Sequence, residues 1–188
     1  MQDCGVFLNI QTYAILLNGL CKNGRLEEAV SLFRNMEEKK LPLNIVIYNI
    51  LIRGMCKAGN LVAAKDLFSQ LSSKGLLPNM RTYNIMIDGL LGGGLIDEAS
   101  NLHREMQENG KHPDNCTYNL MIRGLIANNE ISKALQFTNE MLDRGFFADV
   151  STIKLFVDLV ANGVLDSSFQ PLLQKLVQSG AYCTRFKN

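Results

Sequence analysis

The chain has 188 residues, of which 47% are apolar and 20% charged, and its formal net charge is +1. This composition is typical of a folded protein and excludes a largely disordered one. The near-neutral charge excludes a strong overall attraction to nucleic acid, membrane surfaces or acidic substrates, so any such binding must rest on local patches. No apolar run approaches the roughly 20 residues that cross a bilayer, and the first residues carry no targeting pattern.

The cysteines are spread along the chain without a C-x-x-C pair: Cys4, Cys21, Cys56, Cys116 and Cys183. Their spacing matches no zinc or disulfide framework. Cys21 and Cys56 are 35 residues apart, which indicates one packing position used twice. We therefore expect reduced, buried thiols, no metal and no other cofactor.

Residues 1–9 are interpreted as the tail of a preceding repeat. A period of 35 residues places Met1 in register with Met36, Met106 and Met141, inside what would be a second helix. The sequence is therefore expected to be a fragment, or a shortened gene product, of a longer array.

Four full copies of the 35-residue period follow this tail. Each has a glycine six positions after a tyrosine and an alanine sixteen positions after it, and the tyrosines are Tyr13, Tyr48, Tyr83 and Tyr118. The tyrosines, the glycines and the alanines thus form three columns, each a position that recurs every 35 residues, and three columns in one register rarely arise by chance. The predicted repeats are residues 10–44, 45–79, 80–114 and 115–149.

Each repeat is predicted to contain two helices. In the first helix, apolar residues follow the tyrosine at helical spacing, as Leu51, Ile52 and Met55 follow Tyr48. A break containing Gly or Asn separates it from a second periodic run, and a loop closes the repeat. The last residue of each repeat is Asn or Asp, which can cap the next helix.

Stacking the repeats buries the apolar face that one helix hairpin would leave exposed, which predicts an all-α solenoid of antiparallel helix-turn-helix repeats. Residues 150–188 lose the tyrosine, glycine and alanine columns. They are predicted to be a degenerate repeat and C-terminal cap, because a terminal repeat needs only one partner face.

A polar stripe lies opposite the predicted buried face of the first helix in the second repeat. It consists of Asn49, Arg53 and Lys57, spaced four residues apart. An amide can donate to and accept from a base edge, and cations suit phosphate. The alternative is that these side chains only solvate an exposed helix face, but the repetition favours nucleic-acid binding.

No catalytic constellation is present in the sequence. His103 occupies a position filled by Phe33 and Phe68 in the earlier repeats, and His112 lies in the loop before Pro113. Neither histidine has a partner in a catalytic motif, so we expect packing and loop roles. The chain is therefore not expected to be an enzyme or to have a small-molecule substrate.

The segments T-Y-N-I-M-I-D-G-L at 82–90 and G-R-L-E-E-A-V-S-L-F-R-N-M at 24–36 resemble pentatricopeptide repeats of the plain 35-residue class. The resemblance covers almost the whole chain. Tetratricopeptide repeats have a period of about 34 residues and a helix-one tryptophan, whereas this chain has no tryptophan. The resemblance implies a right-handed superhelical solenoid that binds single-stranded RNA.

The resemblance also implies that each repeat reads one base through the residue after the tyrosine and the last residue of the repeat. These base-reading pairs are Ala14 with Asn44, Asn49 with Asn79, Asn84 with Asp114, and Asn119 with Asp149. In the family, the second pair favours cytosine over uracil, and the third and fourth favour uracil. No base is assigned to the first pair, which lacks one amide, or to the fifth repeat.

Two further sets of contacts are implied. The residue two before the tyrosine contacts the base planes, which gives Val46, Arg81 and Cys116, and only Val46 is a typical residue there. The phosphate contacts would be Lys22, Lys57, Arg53 and Arg123. The lysine column is lost in the third and fourth repeats, so RNA binding by this chain alone is expected to be weak.

The predicted function is sequence-selective RNA binding in the processing, stability or translation of an organelle transcript. Mitochondrion or chloroplast is implied by the resemblance alone. The alternative is a helical scaffold for proteins, or a truncated relative that binds nothing, which the near-neutral charge and the faded lysine column favour.

Overall fold

In the computed structural model of the chain, residues 9–165 and 169–185 are described, those from 178 onward by their backbone alone. Cys4 and residues 1–8 of the predicted tail lie outside these ranges. Within them the chain forms ten α-helices and no strand, so the fold is all-α as predicted. The helices are α1 Ile10–Lys22, α2 Leu26–Glu38, α3 Ile45–Lys57, α4 Leu61–Ser73, α5 Met80–Gly92, α6 Ile96–Glu108, α7 Asn115–Ala127, α8 Ile131–Asp143, α9 Val150–Ala161 and α10 Gln170–Arg185.

The helices are grouped in two compact units, residues 1–102 and 103–188. In the first unit, α1 packs beside α3 and α3 beside α5, while α1 with α2 and α3 with α4 form hairpins. In the second unit, α7 and α8 form a hairpin, α9 packs beside α7, and α10 packs on α9. The first helices of successive repeats therefore lie side by side within each unit. None of the helices in the described ranges is long and apolar enough to span a bilayer.

An Asn or Asp side chain caps the first helix of each repeat. Each accepts a hydrogen bond from a backbone N–H in the first turn, and the capping residues are Asn9, Asn44, Asn79, Asp114 and Asp149. At Asn79 and Asp114 the cap is reciprocal, because the cap backbone N–H donates to the hydroxyl of Thr82 or Thr117. The predicted capping role of the last residue in the repeat is confirmed.

The tyrosines of the second and third repeats join each of these repeats to the one before it. Tyr48 and Tyr83 are at most 2% exposed. Their rings meet Phe33 and Phe68, in the second helices of the preceding repeats, edge to face at centroid distances of 5.3 and 5.6 Å. This geometry adds a directional contribution to the area that aromatic rings bury.

The glycine column allows neighbouring first helices to approach closely. A Cβ on Gly54 would lie 2.6 Å from the Sγ of Cys21, which packs against it from α1. Cys56 packs in the same way on Gly89, and its burial raises the pKa of its thiol to about 11. Cys116 is exposed, so the expectation of buried thiols is wrong there, because Cys116 stands in the outward-facing column of Val46 rather than in the packing column of Cys21.

Within the described residues, two loop residues other than glycine have a left-handed backbone: Lys40 with φ 51° and Asn129 with φ 60°. The other repeats have Gly75, Gly110 and Gly145 at the Lys40 position. This conformation strains lysine by about 1–2 kcal/mol, whereas Asn tolerates it. We expect Lys40→Gly to raise the free energy of unfolding by about 0.5–1 kcal/mol, after subtracting the larger unfolded-state entropy of glycine. Asn129→Gly should raise it less, and a lower urea midpoint for Lys40→Gly would contradict the strain.

Candidate nucleic-acid interface

A cavity of about 230 Å³ lies in the first unit, along the outer face of α3. Its lining includes five residues that the sequence analysis assigned to RNA contacts: Val46, Asn49, Arg53, Asn79 and Arg81. The first three follow one face of α3 at spacings of three and four residues, while Asn79 caps α5 and Arg81 lies in its first turn. The packing of α3 beside α5 thus brings residues of two repeats into one cavity.

Asn49 does not belong to an exposed stripe, contrary to the sequence-based expectation. Its side chain is only 6% exposed, and its Oδ1 has no hydrogen-bond partner among the described residues. The neighbours α1 and α5 flank α3 on both sides and narrow its exposed face, which the periodicity of one helix does not reveal. Arg53 and Lys57, further along the same face, are exposed as expected.

The unpaired Oδ1 of Asn49 distinguishes the cavity chemically. A buried polar atom without a partner costs about 1–3 kcal/mol, so nearly all such atoms in proteins are paired. Asn49 also lines the open cavity, with its Oδ1 buried at the cavity wall. The second repeat therefore has an acceptor beside the cavity that no described protein group satisfies.

In the fourth repeat, by contrast, the predicted pair is hydrogen-bonded within the protein. Asn119 is 1% exposed, and its Nδ2 donates to the backbone oxygens of Asn115 at 2.7 Å and Phe147 at 2.9 Å. Its Oδ1 accepts from the backbone N–H of Asp149 at 2.8 Å. Both amide hydrogens of Asn119 are thus occupied by backbone carbonyls of α7 and of the loop that precedes α9.

The carboxylate of Asp149 is also occupied. Its Oδ1 accepts from the backbone N–H of Thr152 at 2.8 Å, and its Oδ2 accepts from Nη1 of Arg123 at 2.6 Å. Burial opposes ionisation, but the hydrogen bonds from Thr152 and the charge of Arg123 outweigh it and hold the pKa of Asp149 below its ordinary value. The group is therefore an ionised acceptor with a cation already bound.

The members of the other pairs lie on the same elements. Ala14 is half-buried on α1, and Asn44 caps α3 by accepting from the backbone N–H groups of Val46 and Ile47. Asn84 is half-buried on α5 in the first unit, and Asp114 caps α7 in the second.

The remaining predicted contacts differ in how accessible they are. The base-plane candidates Val46, Arg81 and Cys116 are exposed, Val46 by 53%. Among the phosphate candidates Lys22, Lys57 and Arg53 are exposed, whereas Arg123 is ion-paired with Asp149 and half-buried.

Two residues with a part in these sites were missed from the sequence. Asn18 lines the cavity beside Arg53, and Asn115 accepts the backbone N–H of Phe147 at 2.9 Å and so fixes the loop beside Asn119. Asn18 stands 35 residues before Arg53, and Arg53 stands 70 before Arg123. Comparing the position of Arg53 and Arg123 across the repeats would have found Asn18. The bond from Phe147 to Asn115 leaves no signal in the sequence.

Family comparisons match most of the chain. The model of the PPR repeat family matches residues 43–92, 82–127 and 113–162, and the model of the PPR repeat matches residues 4–37. A pentatricopeptide repeat-containing protein of Arabidopsis thaliana is 54% identical over 35 residues, which are 19% of this chain and 7% of that protein.

Solved structures share the fold. The crystal structure of the pentatricopeptide repeat protein PPR10 from maize covers 93% of this chain with a TM-score of 0.74 and 23% identity, and this chain spans 25% of its length. The structure of PPR10 in complex with an 18-nt psaJ RNA element covers 81% of this chain, with a TM-score of 0.75 and 24% identity. This chain spans 22% of the length of that structure's chain. The PPR domain of Arabidopsis thaliana protein-only RNase P 1 in complex with tRNA covers 82% of this chain, with a TM-score of 0.64 and 20% identity. This chain spans 81% of the length of that domain. These likenesses confirm the all-α helical-repeat fold.

Proposed function

The chain belongs to the pentatricopeptide repeat family, and on this basis we propose that it is a non-catalytic protein that binds single-stranded RNA and reads one base per repeat. Two of the three solved structures compared above contain RNA, an 18-nt element in one and tRNA in the other. The chain spans only a quarter of the maize protein, so the proposal concerns this set of repeats.

The cavity of the second repeat carries the proposal. Its wall contains the unpaired acceptor of Asn49, the cap amide of Asn79 and the exposed Val46 and Arg81. Cytosine presents an amino group and uracil an imide N–H on the edge that is free in single-stranded RNA, and either can donate to Asn49 Oδ1 once that side chain turns towards the cavity. Val46 and Arg81 supply an apolar and a planar cationic surface for the base faces.

Exposed cations supply the attraction to the RNA backbone. Lys22, Lys57 and Arg53 are exposed and lie on the first helices of the first and second repeats. Each phosphate contact contributes to affinity and to its salt dependence. Since only three cations are free for this role among the predicted residues, we expect weak binding with a shallow dependence on salt.

The third and fourth repeats extend the target with uracil. Asn84 with Asp114 and Asn119 with Asp149 make the proposed preference C or U, then U, then U, for repeats two to four. The proposed role is in the processing, stability or translation of a mitochondrial or chloroplast transcript. A protein scaffold is the second candidate, favoured by the net charge of +1 and by the internal hydrogen bonds of Asn119.

The direct test is binding of the chain to short single-stranded RNAs by fluorescence anisotropy at one fixed salt concentration. An RNA containing C-U-U should bind more tightly than matched RNAs containing A-A-A or G-G-G. Equal affinity for all three would remove base reading from the proposal, and no binding to any would favour the scaffold.

A sharper prediction concerns Asn79→Asp in the second repeat. A carboxylate only accepts hydrogen bonds, so it favours the N–H of uracil and disfavours the N3 acceptor of cytosine. The preference at the base facing the second repeat should move from cytosine towards uracil by roughly tenfold. Asp caps helices as well as Asn does, so the fold should be kept. The matched control is Asn44→Asp beside Ala14, where no shift between bases is expected, and an equal shift in both variants would contradict modular reading.

A further inference from the structure

The base-reading pairs of the second and fourth repeats differ in their hydrogen bonding, although their sequences are similar. Asn49 keeps a buried acceptor without a partner at the wall of an open cavity. In the fourth pair, Asn119 bonds to Asn115, Phe147 and Asp149, and Asp149 bonds to Thr152 and Arg123. In the second repeat the acceptor of Asn49 has no partner among the described residues, whereas in the fourth the carboxylate of Asp149 is already paired with the guanidinium of Arg123, which a base would have to compete with.

Arg123 is the partner that a base can displace most easily. The bonds of Asn119 to backbone carbonyls and the cap bond from Thr152 belong to the loop and the helix start, so their loss would disturb the fold. The guanidinium of Arg123 is held only at its end, by Asp149 Oδ2 at 2.6 Å and by the hydroxyl of Thr152 at 3.3 Å. The side chains of Arg123 and Asp149 are 34% and 44% exposed, so water or a base can reach the pair.

We propose that Arg123 is a specificity-determining residue that latches the fourth base-reading pair: it occupies Oδ2 of Asp149, the acceptor that uracil would use, and must swing away before the base is read. The proposal rests on the proposed RNA-binding function. It replaces the expected phosphate contact of Arg123, because a guanidinium bound to a carboxylate is partly neutralised and is directed at the cap of α9.

The second repeat shows why the latch depends on the pairing of two positions. Arg53 occupies in α3 the position that Arg123 occupies in α7, but the second repeat ends in the neutral Asn79 instead of Asp149. Oδ1 of Asn79 accepts from Thr82, and Arg53 forms no ion pair in the part of the chain that the structure describes. An arginine at this position therefore latches only a repeat that ends in a carboxylate.

The test compares Arg123→Gln with Arg53→Gln in RNA binding at fixed salt. The readout is the ratio of the dissociation constants for RNAs with cytosine and with uracil as the last base of C-U-U. In Arg123→Gln this ratio should rise about two- to fivefold in favour of uracil, which corresponds to the free energy of a half-exposed ion pair. The same ratio measured at the base facing the second repeat should not change. Arg53→Gln should weaken all RNAs alike and lower the salt dependence by about one phosphate contact.

Two results of the RNA-binding experiment would overturn the latch. One is a uniform loss of affinity in Arg123→Gln with a lower salt dependence, which would make Arg123 a phosphate contact. The other is an unchanged uracil preference. A carboxyl-detected NMR titration of the RNA-free protein tests the ion pair itself, because the pKa of Asp149 should rise in Arg123→Gln, and an unchanged pKa also contradicts the latch. If neither protein binds RNA while the pKa of Asp149 does rise, the proposed function fails although the ion pair exists.

Discussion

Replacing Gly89 by alanine is expected to lower the free energy of unfolding of the first unit by about 1–2 kcal/mol. The new Cβ would lie 2.6 Å from the Cβ of Cys56, which is fixed to the α3 backbone and cannot turn away. Overpacking of this kind costs about 1–3 kcal/mol, and the better helix propensity of alanine returns only part of it. Urea denaturation followed by circular dichroism at a helix wavelength measures the change.

Gly19 is the matched control, because it occupies the same column in the first repeat. A Cβ there meets no atom within 4 Å, so Gly19→Ala should stabilise by about 0.5–1 kcal/mol through helix propensity alone. Opposite signs for the two substitutions would establish helix packing as the cause. Adding Cys56→Ala to the Gly89→Ala protein should recover part of the lost free energy of unfolding, because it removes Sγ. If Gly89→Ala and Gly19→Ala both stabilise the protein, the close contact at Gly89 is disproved.

The second large effect is expected at His103, which breaks the column of Phe33 and Phe68. The imidazole is 5% exposed and meets the ring of Tyr118 edge to face at 6.2 Å and that of Phe137 at 5.2 Å. Its Nδ1 is 3.3 Å from the amide of Gln107, but its Nε2 is buried without a partner in the described part of the chain. The packing role predicted for His103 is confirmed, and it leaves one polar atom unsatisfied.

His103→Phe should therefore raise the free energy of unfolding by about 1–2 kcal/mol at neutral pH, because phenylalanine keeps the ring contacts and removes the unpaired nitrogen. Thermal unfolding of the two proteins gives the comparison. A destabilised His103→Phe protein would show that the bond to Gln107 outweighs the buried Nε2.

The same substitution should flatten the pH dependence of stability. Burial, and to a smaller extent the charge of Arg144, lower the pKa of His103 below its ordinary value of 6.5, while Glu140 opposes them. The unfolded chain then takes up a proton first as the pH falls through 6.5, so the folded state loses stability below that pH until the folded histidine is also protonated. Unfolding midpoints between about pH 7 and pH 5 should fall more in the natural protein than in His103→Phe. Parallel curves would mean that His103 is not desolvated in solution.

Periodicity in the sequence was sufficient to predict the elements of the fold. The tyrosine column predicts the buried face of each first helix, and Tyr48, Tyr83 and Tyr118 are buried. The residue at the end of each repeat was correctly predicted to be a cap, because capping depends on a side chain and the three residues that follow it.

The environment of the base-reading residues could not be predicted from the same pattern. Asn49 and Asn119 occupy one column, yet Asn49 has an unpaired oxygen, whereas Asn119 bonds through its oxygen and both amide hydrogens. The difference comes from residues more than 25 positions away, such as Phe147 and Asp149, which a helical wheel does not include. The pairing of Arg123 with Asp149 likewise needs the packing of α9 beside α7.

The cap at the start of each first helix restricts which targets such an array could evolve to recognise. The last residue of a repeat both starts the next helix and, in the proposed function, selects a base. A substitution there survives only if the new residue also accepts the first-turn N–H groups, since loss of a cap costs about 1 kcal/mol. Asn, Asp, Ser and Thr meet this requirement, so new base specificities would come mainly from these four side chains. Any other residue at this position could change the target only by lowering the stability of the helix start that follows it.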